Sequence, residues 1–277
     1  MAIRIGISGW RDARWRGTFY PAGLAQRREL EYAAGCFPSV EINGAFYSLQ
    51  QPESFQRWHD ETPDDFVFSV KGPRFIIHMK RLRDCEQALA NFVASGVLRL
   101  GAKRGPILWQ LPPTLRFDAE LPDAFLSSLP RDSETALARK RAIALMQGRR
   151  ALAIDRQRPI RHALEVRHDR FCDPACRRLR RRHDVAVVVA DTAGTFPYLE
   201  DVSADFVCLR LHGDAQLYAS GYSDSALDRW AARIAAWASG GESDDGARER
   251  ASRDVYCYFD NDTKAHAPFD ARGTSGT

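Results

Sequence analysis

Apolar and polar residues alternate with period two in eight short stretches of this chain: Arg4–Ser8, Ser39–Asn43, Phe66–Lys71, Pro106–Gln110, Ala163–Arg167, Val185–Asp191, Phe206–His212 and Val255–Asp260. Such alternation marks strands with two unlike faces. One face is almost wholly apolar, with Ile5 and Ile7, Val40 and Ile42, Phe66, Phe68 and Val70, Leu209 and Leu211. The other carries Gly6, Ser8, Glu41, Asn43, Ser69, Lys71, Gln110, Glu165, Arg167, Asp191, Arg210, His212 and Asp260. So many polar groups cannot all lie in a dry core, and their clustering at strand ends predicts one shared, solvent-accessible mouth.

Helical periodicity fills the intervals. Leu24–Ala34 reads as a helix, and Pro52 opens a short one with Phe55 and Trp58 on one side. Leu82, Cys85, Leu89, Phe92 and Val93 predict an amphipathic helix over 81–95. Asp173-Pro174 is a helix start with Cys176 and Leu179 facing inward, and Leu227, Trp230, Ile234 and Trp237 form a last stripe. Strand alternating with helix eight times predicts an α/β TIM-type (β/α)8 barrel in a single domain, residues 1–271. Residues 112–161, between the fourth and fifth strands, are expected to form a loop plus one or two helices over the flank or mouth. Gly240–Ala251 reads as a mobile surface loop, and 272–277 as a disordered tail.

Composition narrows this little. A chain of 277 residues with 44% hydrophobic residues suits one large core. Six cysteines without a C-x-x-C pair predict neither structural zinc nor disulfide, and reduced thiols fit the cytoplasm. The chain enters strand-like sequence at once, and no apolar run is long enough to span a bilayer, so export and membrane insertion are not expected. Residues 131–182 hold sixteen Arg/Lys against six Asp/Glu, a local +10 that leaves −6 elsewhere in a chain of net charge +4. The strip 139–182 is a solvated basic face under one reading and a nucleic-acid track under another.

With these residues in place, the chain resembles the domain of unknown function 72 family, the YecE-like proteins, over nearly its full length. The resemblance rests on I-R-I-G-I-S-G-W, V-E-I-N-G-A-F-Y, F-V-F-S-V-K-G-P-R with His78, G-P-I-L-W-Q-L-P-P and A-L-E-V-R-H-D-R-F. It continues through R-L-H-G with Tyr218 and Tyr222, and Y-C-Y-F-D-N-D with A-P-F-D-A. It implies a TIM-type barrel and brings no established reaction or cofactor.

Chemistry is sought at the mouth. Glu41, Glu165, His212, Lys71 and Asp260 are the candidate catalytic residues. Asn43, Tyr47, His78, Gln110, Arg167, His168, Asp191, Arg210, Tyr222 and Asn261 are the candidate ligand contacts. Arg167 and Arg210 are expected to grip a small anionic ligand, a phosphorylated sugar or nucleotide, with Glu41 or Glu165 as acid/base and His212 as acid or phosphate contact. Lys71 is either a Schiff-base nucleophile or an ion-pair partner of Glu41 or Glu165. No metal or other cofactor is called, because Lys71, Arg167 and Arg210 interleave with the acids and would repel a divalent ion. A metal-dependent phosphodiesterase-like hydrolase and a non-catalytic nucleic-acid binder stay open as alternatives.

Overall fold

The computed structural model describes residues 1–138, 150–151, 153–241 and 252–275. Eight strands pair in parallel in chain order: β1 (Ile3–Ser8), β2 (Ser39–Ile42), β3 (Val67–Lys71), β4 (Arg104–Gln110), β5 (His162–Glu165), β6 (Ala186–Asp191), β7 (Phe206–Leu211) and β8 (Asp254–Phe259). β8 then closes on β1, pairing Ile3 with Val255 through Ile7 with Phe259. The result is a (β/α)8 barrel in which no strand presents an unpaired edge.

The two strand faces do different work. Ile5, Ile7, Val40, Ile42, Phe68, Val70, Leu209 and Leu211 turn outward into one continuous apolar shell beneath the helices. Those helices include α1 (Glu29–Cys36), the one-turn α2 (Gly44–Tyr47), α3 (Pro52–Asp60) and α4 (Glu86–Ala94). They continue with α5 (Glu120–Ser128), α6 (Ser133–Ala138), α7 (Pro174–Arg182), α8 (Asp224–Ala238) and α9 (Ala267–Ser275). Inward-facing Val67, Leu108, Ala163, Ala186, Val188, Phe206, Cys208, Tyr256 and Tyr258 form a second, separate cluster that plugs the lower barrel. Above it Ser39 Oγ meets Tyr258 OH at 2.8 Å, and above that the interior becomes fully ionic. Gly6 is required at the β1–β2 seam, because a Cβ there would collide with the Ser39 backbone carbonyl.

Several expected boundaries shift for local reasons. α4 begins only at Glu86 instead of 81, because Arg81, Leu82 and Asp84 take positive φ values of 50°, 67° and 47° and cannot start a right-handed helix. The first helix starts at Glu29, after a 3-10 turn over Gln26–Arg28. α5 and α6 both lie in the long connection, and Phe125 of α5 packs edge-on against Trp109 of β4, on the flank. The expected tail is corrected from residue 272 through 275: α9 runs on past Ala271, with Thr274 buried and its hydroxyl donating to the Asp270 carbonyl. Residues 139–149 of the basic strip and 242–251 of the expected surface loop lie outside the described residues.

Where the strip is described, acids meet it. Arg180 and Arg181 of α7 donate to Asp201 at 3.0 and 2.8 Å, and Arg177 lies 3.7 Å from the same carboxylate. Arg182 and His183 both engage Asp123, and Arg161 bridges Asp205 and Asp254 at the N-terminal end of the barrel. No helix of the described residues is long and apolar enough to cross a membrane.

Candidate functional site

Parity carries most of the predicted polar residues to one place. Ser8, Glu41, Gln110, Glu165 and Arg210 all end inward at the C-terminal half of the barrel, and each is buried. His212 and Asp260 follow directly on β7 and β8. Arg210 sits at the centre, fully buried. Its Nη1 donates to Glu165 Oε2 at 2.8 Å, and its Nη2 reaches Glu41 Oε1 at 2.8 Å, Asp260 Oδ2 at 2.8 Å and Ser8 Oγ at 3.0 Å. Gln110 Nε2 caps both Glu165 oxygens at 2.9 Å, and Ser8 Oγ donates to Glu41 at 2.5 Å while accepting from Asn43 Nδ2 at 2.9 Å.

That geometry corrects the role expected for Arg210. A guanidinium shared among three carboxylates has no terminal nitrogen left for an incoming anion, so Arg210 is a structural counter-ion. Its field, with those of Arg167 and His212, outweighs burial and holds Glu165 well below the usual carboxylate range. Asp260 is likewise lowered, against its own burial, by Arg210 and His212. Both acids stay ionised across the physiological range, which removes Glu165 as a near-neutral general base. His212 lies between them, with Nδ1 3.1 Å from Asp260 and Nε2 3.6 Å from Glu165.

The rim above this cluster is built by strained loops. Gly213 adopts φ +125°, where a Cβ would come within 2.5 Å of the Gln216 carbonyl. Tyr218 is held at φ +61° by backbone hydrogen bonds to the His212 carbonyl and from Thr263. A tyrosine in that region is strained, and strain of this kind is kept where it positions a group. Here it lays the Tyr218 ring edge-on to His212, with centroids 5.2 Å apart, and puts its hydroxyl 2.8 Å from Arg167 Nη2. Arg167 also donates through Nε to Glu165 at 2.9 Å and stacks over Phe196, while its Nη1 makes no hydrogen bond among the described residues.

Lys71 ends β3 inside the same mouth. Among the described residues its amino group has no hydrogen bond or ion pair, and it lies over the Phe46 ring, 4.5 Å from the centroid. The expected ion pair with Glu41 or Glu165 does not form: Arg210, Gln110 and Arg167 take the Glu165 oxygens, Ser8 and Arg210 take Glu41 Oε1, and Glu41 Oε2 stays buried without a partner. Burial pushes the Lys71 amine down, and Arg210 adds to the effect. His78 packs edge-on against the same Phe46 ring, with centroids 5.2 Å apart. Its ring donates to the Gln110 backbone carbonyl, its Nε2 is buried without a partner, and burial keeps it neutral-leaning. Since Nε2 has no partner, Nδ1 must carry the donated proton.

Other predicted residues stand apart. Asp191 is a correction in parity: Ala186, Val188 and Ala190 face inward, so Asp191 shares the outward face of Val189 and pairs with Tyr222 OH at 3.1 Å. Tyr222 itself donates no contact to the ionic cluster; its hydroxyl also accepts from the Gly213 amide. Asn261 ties the mouth to α9, donating to Asp270 at 2.7 Å and to the Ser220 carbonyl. His168 caps the 3-10 turn Asp169–Cys172 by accepting from the Arg170 amide. Tyr47 is exposed and, with Asn43, Trp10 and Trp58, lines a 250 Å³ cavity beside β1 and β2.

Two groups were not singled out from sequence. Ser8, visible only as a polar strand end, bridges Glu41, Asn43 and Arg210. Asp262, two residues past Asp260, has a buried Oδ1 without a partner, and burial with the charges of Asp260 and Asp12 pushes it well above the usual range. The F-D-N-D run was the available signal for it, but only the fold separates the two acids into one ionised and one protonated. No group of three or more His, Cys, Asp or Glu among the described residues is arranged to hold a metal ion.

This geometry can be set beside known proteins. A segment is 35% identical over 130 residues to the UPF0759 protein YecE of Escherichia coli K12, and the chain spans 44% of the length of that curated relative. It is 36% identical over 70 residues to the UPF0759 protein YunF of Bacillus subtilis, 24% of that protein's length. The fold superposes on a DUF72 family protein from Thermotoga maritima with a TM-score of 0.75 at 22% identity, covering 100% of this chain and 98% of the other. A DUF72 family protein from Enterococcus faecalis gives 0.71 at 15% identity, covering 99% and 94%. The model of the family described as "Protein of unknown function DUF72" matches residues 4–275, and the chain belongs to that family.

Proposed function

We propose that this barrel is an enzyme whose mouth binds a small anionic metabolite, with Arg167 as its anchor. The observation that carries the reading is the division of cations: Arg210 is spent on three carboxylates, whereas Arg167 Nη1 and Lys71 Nζ face the mouth uncommitted. A phosphate or carboxylate seated there would gain charge-assisted hydrogen bonds from both. The split among the acids supplies proton transfer. Glu165 and Asp260 remain anionic, Asp262 is biased toward the protonated donor, and His78 presents a neutral ring nitrogen as acceptor.

A metal-dependent hydrolase is less well supported, because Glu41, Glu165 and Asp260 each already take a hydrogen bond from Arg210, which would compete with a divalent ion for the same oxygens. Nucleic-acid binding is weakened as a reading by the acids that meet the described arginines of α7. The test is a thermal-shift screen of phosphorylated and carboxylated metabolites and short oligonucleotides, with and without divalent metals, on wild type and Arg167→Met. Stabilisation by a small anion that Arg167→Met lowers about tenfold in affinity is expected, matching one lost charge-assisted contact. Stabilisation that requires metal, or that is confined to oligonucleotides and disappears steeply with salt, would sink the reading.

A further inference from the structure

We propose that Lys71 is the covalent nucleophile of this barrel, forming an imine with the carbonyl group of a small anionic oxo compound held by Arg167. The inference rests on the anion-binding reading of the mouth and adds the class of substrate and the reacting atom.

Two buried lysines among the described residues show what is unusual about Lys71. Lys103 is held as a structural ammonium, donating to the His59 carbonyl at 2.6 Å and the Thr62 carbonyl at 2.7 Å. Lys71 is 9% exposed and has no oxygen within reach, only the face of Phe46. Three carboxylates stand close by, yet each is paired with Arg210 and none, not even the unpartnered Glu41 Oε2, lies within ion-pair distance of Nζ. An ammonium whose donors go unused in a buried site is poorly stabilised against the neutral amine, and only the amine has the lone pair needed for attack. Burial and the Arg210 charge push Lys71 in that direction and outweigh the opposing charges of Asp260, Glu41 and Glu165. Its Nζ is not among the buried unpartnered atoms, so it opens onto the mouth.

The step balances without any co-reactant. The Nζ lone pair forms the N–C bond while the carbonyl π pair moves to oxygen, which takes a proton. The nitrogen sheds its two protons in turn, balancing the one taken by the alkoxide and the one taken by the hydroxyl as it leaves as water, and the C=N bond closes: amine plus carbonyl gives imine plus water. Water in the mouth takes the protons released by nitrogen, and His78, packed on the same Phe46 ring with an Nε2 that has no hydrogen-bond partner, is the candidate side-chain acceptor. Arg167, which reaches into the same mouth through Glu165 and Tyr218, would hold the substrate's anionic group.

The experiment is reductive trapping. The full chain is incubated at neutral pH with pyruvate, glyoxylate or dihydroxyacetone phosphate, and with acetone as an uncharged control, then treated with borohydride and mapped by peptide mass spectrometry. The chain has five lysines, so one reduced adduct is assigned unambiguously. The expected result is an adduct on Lys71 that forms at least about tenfold faster than on Lys80 or Lys264, because its amine is the buried one of the three. Lys71→Arg should abolish it with an unchanged circular dichroism spectrum. Lack of any Lys71 adduct, while small anions still stabilise the protein through Arg167, would overturn the imine and leave the anion reading standing. A Lys71 adduct that forms equally with acetone and ignores Arg167→Met would support the nucleophile and overturn the anion reading.

Discussion

Arg210 decides more about this molecule than any other single side chain. Replacing one partner of a buried ion cluster leaves the remaining charges uncompensated, which typically destabilises by about 3–5 kcal/mol. Arg210→Met strands Glu41, Glu165 and Asp260 together and is expected to lie in that range by guanidinium unfolding, whereas Arg167→Met, which leaves Glu165 still paired with Arg210, should lose less, about 1–3 kcal/mol. The cluster also sets the acid limb of stability. Glu165 and Asp260 have folded pKa values below their unfolded ones, so their contribution is present above the unfolded values and is lost as pH falls through the folded values. Stability should hold down to about pH 5 and decline below roughly pH 4, where unfolded carboxylates take up protons. Asp262 has the opposite sign: its raised pKa favours the fold below the unfolded value, and that contribution disappears as pH rises through the folded one. Asp262→Asn should therefore remove a fall in stability that begins as pH rises above about 4, and a fluorescence-monitored pH series on the two variants separates the contributions. An acid limb that survives in Arg210→Met would show that other carboxylates dominate it.

At the scale of elements, seams and helix anchors matter more than composition. Gly6 sits where β1 passes the Ser39 carbonyl, so Gly6→Ala forces the backbone apart at the β1–β2 pairing. Overpacking usually costs about 1–3 kcal/mol, and a clash with backbone instead of a flexible side chain should fall at the upper end, read as a lowered denaturant midpoint. α7 shows the converse. Its sequence is a run of arginines, yet Arg180 is buried on α7's inner face and shares Asp201 with Arg181 and Arg177. Asp201→Asn should cost about 3–5 kcal/mol because it leaves the Arg180 guanidinium buried without its counter-charge. A change below 1 kcal/mol would assign the helix's stability to Cys176 and Leu179 packing alone.

For the whole molecule the decisive event is closure. β1 meets β8 through five residue pairs of register, Ala2 donates to Asp254, and α9 covers the β1 side of that seam. Gly273 packs so tightly that an added Cβ would touch Leu227 of α8, and Thr274 is buried. Removing residues 272–277 is therefore expected to lower stability by about 1–3 kcal/mol, visible as a drop in the thermal midpoint, where a frayed tail would leave it unchanged.

Period-two alternation in the sequence determined the strand count, the outward apolar shell and the convergence of Glu41, Lys71, Gln110, Glu165, Arg167, Arg210, His212 and Asp260, because side-chain direction in a strand follows position alone. It misplaced Asp191, since parity near a strand's end depends on where pairing begins, which is a property of the neighbouring strand. It missed α9, whose small and polar residues carry little periodicity and become helical by packing against β1 and α8. Which charges cancel was decided only in three dimensions. Arg210, Arg167 and Lys71 look alike as cations at strand ends, but their fates differ by the few ångströms that let one reach three carboxylates, one reach a carboxylate and a tyrosine, and one reach only an aromatic ring.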